Sequence, residues 1–577
     1  MRTLEKPLAT FYVELAKTLV HTNPLGLTSP KNLKKDIDVL EHRVQFEGIS
    51  FLTITLPSLG KAVLYGIEIG AFPTGFRGFP LARSGRPLFL EEYLNAVFDE
   101  GSSGDKRAEA LKHVLQVCFL CYKLEVPMPK KLEEKVLGGF VNNETELSEF
   151  CLEKDFDKEA SLVGKVFKGF NLKDVRPKHG PGAVASGEKL WEKWDFKTHY
   201  NQIHQTFPYY DFFFCRSIPA LVDSKVQYTS LERRESGCAK VVLVPKDSRG
   251  PRLISAEPLE YQYIQQGLAG VVVPLLENHP FTKGHVNFTD QGINQSLALR
   301  SSESKFFATI DLKDASDRVS TELVRRVFAK TPDLLRALLA TRSTATRLPN
   351  GQIIELNKFA PMGSAMCFPV QATIYWAICV VALIADGYTP RRAISLVYVY
   401  GDDILVPTSS YETVVGALEA AGLLVNSRKC YRKSSFRESC GMDAFFGVQV
   451  TPLRLHTLFV YSPNGESYAA HVHAVNAFRQ RGYSRTSDFL LSEIEHVYGP
   501  VPAGLPDSSY PCLHEHSIAN AIRTNARKGF RSRWNRSLSA LEFKVRELRP
   551  VSVRTEFQGW QRMLQNLLQP RLDPEKW

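Results

Sequence analysis

The chain has 577 residues, 44% hydrophobic and 23% charged, an ordinary globular composition with length for a large core and no low-complexity tract. That length allows roughly three or four domains, or one multi-lobed enzyme. Lys+Arg 72 against Asp+Glu 61 gives a net charge of +11 and a pI near 9.0, a moderate excess that suits a polyanionic partner.

The 10 cysteines have no regular spacing, and Cys118 and Cys121 lie in the apolar run V-L-Q-V-C-F-L-C-Y, where structural thiols are expected. The pattern fits a reducing cytosol. The N-terminus M-R-T-L-E-K lacks a signal-peptide core, and the apolar stretch Ile374 to Ala385 reads as too short for a bilayer. A soluble intracellular protein without a membrane partner is the expectation.

In chain order, residues up to about Lys165 read as mostly helical, as at Phe11 to Val20 and Arg107 to Leu124. Phe51 to Leu56 (F-L-T-I-T-L) alternates like a strand, and Phe72 to Pro87 reads as a surface loop. Lys178 to Gly187 (K-H-G-P-G-A-V-A-S-G) forces a turn whose backbone N–H groups could meet a phosphate or could simply connect. Val241 to Val244 is a strand, followed by P-K-D-S-R-G-P-R-L-I-S with Lys246, Arg249 and Arg252 on a turn. Cations so grouped suit a triphosphate: arginine as a fork, lysine as a point charge.

Phe306 to Ile310 is a buried strand ending at Asp311, with Asp314 and Asp317 following. Ser316 or Asp317 is the expected cap of a helix over Arg318 to Lys330. Met362-Gly363-Ser364-Ala365 is a small-residue loop before a long apolar helix.

Val397 to Val406 (V-Y-V-Y-G-D-D-I-L-V) predicts two strands joined by a Gly401-Asp402 hairpin turn. Adjacent carboxylates on an apolar hairpin repel and raise each other's pKa, a conflict that a divalent cation removes. Hard oxygen ligands on a rigid turn suit Mg²⁺. Asp311 adds a third carboxylate, as two ions roughly 3.5–4 Å apart require. Tyr411 to Ala421 then reads as a helix, Val425 to Lys429 as a short basic strand, and F-R-E-S-C-G-M-D-A-F-F-G-V-Q-V as a second hairpin.

From Arg523 to Arg554, ten cations face Glu542 and Glu547, with Phe530 and Trp534 interleaved. This suits single-stranded nucleic acid by charge and stacking, and equally an amphipathic helix face.

The order of parts resembles a palm-type polymerase, and more closely the replicase subunit of the single-stranded RNA bacteriophages, the leviviruses of the Qβ and MS2 type. The resemblance rests on V-P-K-D-S-R-G-P-R (244–252), T-D-Q-G-I-N-Q (289–295), A-T-I-D-L-K-D-A-S-D (308–317), M-G-S-A (362–365), V-Y-G-D-D-I (399–404), F-R-E-S-C-G (436–441) and G-V-Q-V-T-P (447–452).

It implies an α+β right-hand fold of fingers, palm and thumb, with an antiparallel palm sheet backed by helices. The expected division is 1–239 as N-terminal region and part of the fingers, 240–460 as fingers and palm centred on 306–452, and 461–577 as thumb and basic C-terminal region. The implied metal carboxylates are Asp311, Asp402 and Asp403, holding two Mg²⁺ ions with Mn²⁺ as a substitute. Lys246, Arg249 and Arg252 would hold the incoming triphosphate, and Lys429 would lie near the leaving pyrophosphate. Asp317, Gly363 and Ser364 complete the implied substrate contacts.

Two departures stand out: Gln371 replaces an acid, and the asparagine that many RNA polymerases carry after the glycine is missing. The implied partners are template RNA, NTPs, host elongation factors Tu and Ts, a host ribosomal RNA-binding protein and an Hfq-type factor, in the cytoplasm of an infected bacterium. The rivals are a reverse transcriptase-like enzyme, which usually has an aromatic gate after its strand-end Asp, a DNA-templated polymerase, and a non-catalytic basic RNA-binding or scaffold protein.

Overall fold

A computed structural model describes residues 2–127, 129–190, 192–213, 228–248 and 250–545. Arg249, and with it Arg546, Arg549 and Arg554 of the basic C-terminal run, lies outside the described residues. The architecture mixes helices with small sheets, an α+β class. The chain divides into two compact units, one of 1–128, 245–250 and 444–554 and the other of 129–244, 251–443 and 555–577.

The first unit joins early and late parts of the sequence. Its early helices include Arg2–Thr22, Pro30–Glu47, Leu56–Ile69 and Gly104–Phe119, and its late ones Gly465–Gln480 and Ser484–Tyr498. Phe11 stacks on Phe459 with ring centroids 4.3 Å apart, and the Tyr12 hydroxyl accepts the Phe459 N–H at 2.8 Å. Buried Gln116 mimics a backbone partner, its amide donating to the Leu453 carbonyl at 2.9 Å and accepting the Leu453 N–H at 2.8 Å. Cys118 and Cys121 are buried, and burial pushes both thiols up, as structural cysteines require.

The strand expected over Phe51 to Leu56 is instead a π-helical turn, Phe51–Thr55, running into the Leu56–Ile69 helix. Phe51, Leu52 and Thr53 are buried in succession rather than alternately, and the Thr53 hydroxyl donates to the Ile49 carbonyl at 3.2 Å. Pro57 sits in the first helical turn, where its missing N–H costs nothing.

The second unit is built around the Cys367–Ala385 helix, whose Tyr375, Trp376 and Ile378 are fully buried. This helix matches the long apolar one that the sequence places from about Phe368 to Ala385. By length and composition it could cross a membrane, but 83% of it is buried inside the protein. A three-stranded sheet packs in the same core, in the order Phe307–Ile310, Asp403–Pro407, Tyr398–Tyr400, all antiparallel. Each outer strand makes one further bridge: Thr309 to Tyr431, and Val399 to Val286.

A four-stranded sheet runs Gly250–Ala256, Cys238–Asp247, Ala345–Arg347, Ile353–Glu355, and the basic turn is the tip of its first hairpin. The expected cap at Ser316 or Asp317 gives way to Ser320, whose hydroxyl accepts the Leu323 N–H at 3.0 Å and starts the Thr321–Val327 helix. Residues 315–318 form a separate 3₁₀ turn. The basic strand expected over Val425 to Lys429 is only Leu424–Val425, because the chain turns at Asn426, whose carbonyl accepts the Lys429 N–H at 2.8 Å.

Gln116→Ala removes both partners of the Leu453 peptide group and leaves buried backbone unpaired. The expected loss is about 1–3 kcal/mol, read as a lower midpoint in urea with an unchanged slope.

Candidate active site

The hairpin forms as its residues dictate. Tyr400 pairs with Asp403 across a two-residue turn, and Gly401 takes φ +64. A side chain there would also collide with a neighbour: an ideal Cβ would fall 1.9 Å from Cε2 of Phe368, in the first turn of the buried helix. Tyr400 is fixed too, its hydroxyl donating to the Phe288 carbonyl at 3.0 Å and accepting from Gln291 at 3.2 Å.

Strand register brings the carboxylates together. Ile404 faces Ile310, so the next rung sets Asp403 opposite Asp311, on the same face of the sheet. Asp402 lies exposed at the tip. Burial raises the Asp311 carboxyl above its ordinary range; Lys429, 3.6 Å away, and Asn426, donating to Oδ2 at 2.7 Å, oppose that rise, while Glu438 and Asp402 add to it. Asp403 is pushed up to about 7, first by burial and then by Asp402 and Glu438, against one N–H from Cys440. Glu438 is a fourth acid at the site that sequence reasoning did not single out; its only signal is its place in F-R-E-S-C-G.

The remaining motif residues hold this corner in place. Buried Arg437 donates to the carbonyls of Phe307 at 2.5 Å, Ser434 at 2.7 Å and Arg432 at 3.1 Å, tying F-R-E-S-C-G to the outer strand. From T-D-Q-G-I-N-Q, Asn294 donates to the Asp403 carbonyl at 3.4 Å and Gln295 to that of Cys440 at 3.0 Å.

Asp317 lies on the 3₁₀ turn beyond Asp311, with Oδ1 2.9 Å from the Lys358 ammonium. Gly363 has φ +127, and an ideal Cβ there would fall 2.1 Å from the Ser255 carbonyl oxygen, so the glycine serves a close backbone approach. Ser364 is largely buried, its hydroxyl accepting the Met366 N–H at 3.3 Å. Gln371 is buried near the Cys367 thiol. Lys246 and Arg252 are exposed on the basic hairpin, Lys246 in the first unit and Arg252 in the second. In the K-H-G-P-G loop the carbonyls of Gly180 and Gly182 turn inward onto the buried Lys193 ammonium, at 2.7 and 2.5 Å. Burial among Trp194, Phe196 and Tyr263 lowers His179 to about 3.

The donor set fits a hard divalent cation, for burial and neighbouring acids drive Asp311 and Asp403 toward protonation, a cost that a bound cation relieves. Among the described residues no group of three or more His, Cys, Asp or Glu side chains is gathered closely enough to hold a metal ion by itself. An open arrangement suits Mg²⁺, which takes one or two carboxylates and completes its shell with water and phosphate.

Residues 196–461 match the family model of the RNA replicase beta-chain. The match contains every carboxylate described above. A chain named RNA-directed RNA polymerase subunit beta from Qbeta virus (strain MX1) is 34% identical over 213 residues, 37% of this chain and 34% of that protein. The RNA-directed RNA polymerase beta chain of Enterobacteria phage fr is 32% identical over 303 residues, covering 51% of this chain and 52% of its own. That of Escherichia phage MS2 is 32% identical over 212 residues, 37% and 36% of the two chains. The similarity therefore spans between a third and about half of these replicase relatives.

The raised Asp403 carboxyl has a thermodynamic consequence. Between about pH 4 and pH 7 the unfolded chain gives up this proton more readily than the folded one, so its contribution to stability falls as pH rises. In EDTA, Asp403→Asn is expected to match wild type near pH 4 and to be more stable by on the order of 1 kcal/mol or more at pH 8. Thermal melts across that range check it.

Proposed function

We propose that the chain is the catalytic subunit of an RNA-templated RNA polymerase that copies a phage single-stranded RNA genome. The observation that carries this is the register pairing Ile404 with Ile310, one step from Asp403 and Asp311, with Asp402 at the hairpin tip and the replicase match around all three. In this reading 240–460 supplies fingers and palm and 461–577 the thumb.

Asp311, Asp402 and Asp403 would hold two Mg²⁺ ions, with Mn²⁺ as a substitute. When bound, such ions lower the pKa of an attacking 3′-hydroxyl and neutralise charge on leaving pyrophosphate. The protein's own work is positioning. The sheet fixes the carboxylates, Lys429 offsets the charge of Asp311 and lies toward the pyrophosphate, and Asp317 meets the ribose. Lys246, Arg249 and Arg252 take the triphosphate, and Gly363 and Ser364 shape the nucleotide loop. The relatives' names include "subunit", in keeping with partners beyond template RNA and NTPs: host elongation factors Tu and Ts, a ribosomal RNA-binding protein and an Hfq-type factor, in the bacterial cytoplasm. Leu312 to Asp317 carries no aromatic gate, which favours ribonucleotides over a reverse transcriptase reading.

The test is Mg²⁺-dependent incorporation of labelled NTP on an RNA template, with and without host extract. Asp402→Asn is expected to lower incorporation by about 10³-fold or more while thermal melting and RNA binding stay near wild type. Retained turnover would remove the metal role.

A second expectation concerns the hairpin Ser532–Asn535 and Ala540–Phe543. Trp534 is 61% exposed on it, flanked by exposed Arg531 and Arg536, while Arg533 is paired with Glu542 and Lys528 with Glu495. This arrangement suits base stacking beside neutralised phosphates. Replacing Arg531 and Arg536 with Gln should reduce the slope of log K against log salt by about 0.7 for each phosphate no longer neutralised. Trp534→Ala should weaken binding by about 1–3 kcal/mol with the slope unchanged. Filter binding over a salt series separates the two.

A further inference from the structure

Lys358 lies on the segment leading into the Met362–Ala365 loop and is 0% exposed. Its ammonium is 2.9 Å from Asp317 Oδ1 and 3.0 Å from Glu144 Oε1, and it sits 3.6 Å over the centre of the Phe140 ring. Phe140 and Glu144 both come from the Lys130–Glu149 helix. A buried cation needs such neighbours, since desolvation without them costs several kcal/mol.

The segment carrying Lys358 does not depend on Asp317 for its own position. Phe359 N–H donates to the Val319 carbonyl at 2.7 Å, and Arg342 donates to the carbonyls of Leu356 at 2.7 Å, Lys358 at 3.0 Å and Phe359 at 3.1 Å. Glu144 Oε2 accepts the N–H groups of Asn357 at 2.5 Å and Lys358 at 3.3 Å. The backbone around Asp317 is held separately: the Tyr375 hydroxyl donates to the Ala315 carbonyl at 2.8 Å, and Arg318 pairs with Glu146. What the Lys358–Asp317 pairing fixes is the carboxylate itself, whose side chain stays 23% exposed.

We propose that Lys358, balanced by Glu144, is the positioning residue that aims Asp317 at the ribose 2′-hydroxyl and so sets selection of ribonucleotides over deoxyribonucleotides. This rests on the polymerase reading above. One ammonium between two carboxylates leaves a net negative charge, so Asp317 stays a strong hydrogen-bond acceptor rather than being neutralised. A 2′-hydroxyl donates to it, whereas a deoxyribonucleotide leaves it without that bond; sites built to bond a substrate hydroxyl discriminate strongly in this way. In this reading the asparagine missing from the 362–365 loop is replaced by an acceptor on the opposite segment.

The test measures kcat/KM for each NTP and its matching dNTP on a short RNA template in Mg²⁺, using the full chain with host extract. Lys358→Met is expected to lower the NTP:dNTP ratio about tenfold, mainly through the NTP value. In an Asp317→Ala background the same change should move the ratio less than about twofold, because Lys358 acts through that carboxylate. Glu144→Gln, which keeps the Lys358–Asp317 contact but leaves the ammonium to neutralise Asp317 alone, should lower the ratio in the same direction and by less than Lys358→Met. If Lys358→Met alone does not fold, Lys358→Met with Glu144→Gln removes the stranded carboxylate and carries the same comparison. Equal losses for NTP and dNTP, with the ratio unchanged, would make Lys358 a packing residue and overturn the proposal. A wild-type chain that incorporates no NTP would instead remove the polymerase reading beneath it.

Discussion

The pairing of Ile404 with Ile310 decides where every acid at the site can go. A slip of one residue would turn Asp403 to the other face of the sheet and bury it against the core. The register resists that slip because each outer strand makes a further bridge and because Phe368 occupies the space a Gly401 side chain would need. Held in this way, Asp311 and Asp403 cannot move apart to relieve their repulsion. Lys429 and Asn426 relieve Asp311 in part, while Asp403 is met by the N–H and the thiol of Cys440, neither of them charged. The corner therefore favours added positive charge, and the fold supplies that preference before any substrate arrives.

Most of the motif residues that mark the chain act on backbone. Arg437 spends its guanidinium on carbonyls, Asn294 and Gln295 bond the carbonyls of Asp403 and Cys440, and Gly363 permits contact with Ser255. Rigidity at the carboxylates is thus distributed over segments far apart in sequence. That is the form preorganisation takes when the chemistry consists of holding charges in place.

The hairpin was legible because glycine between two β-branched and aromatic runs has few other uses, and Asp311 because it ends such a run. The local readings that failed did so for local reasons. F-L-T-I-T-L alternates by composition, but consecutive buried positions and a proline fit for a first helical turn made it helical. Ser320 took the cap from Ser316 and Asp317 because a 3₁₀ turn intervenes. For the glycine loop 178–187, which the sequence left open between a phosphate contact and a plain connection, the structure presents two carbonyls to a buried lysine. Lys358 and Glu144 were beyond reach: 214 residues separate them, and neither has local neighbours that announce burial. Glu438 was visible only as a letter in a motif, since its effect on Asp403 depends on how the chain returns to the sheet.

The first unit begins in the N-terminal helices and is finished by residues after 443. Gln116 waits for a partner 337 residues later. At a synthesis rate of about 5–20 residues per second, that interval is roughly 17–70 s. During it, the faces of Phe11, Tyr12 and Gln116 that the late segment covers have no native partner. A nascent chain therefore carries an incomplete apolar surface while the carboxylate-bearing unit is already emerging. Truncation after residue 443 would leave that surface open for good, which makes the segment after 443 a folding requirement for the N-terminal helices.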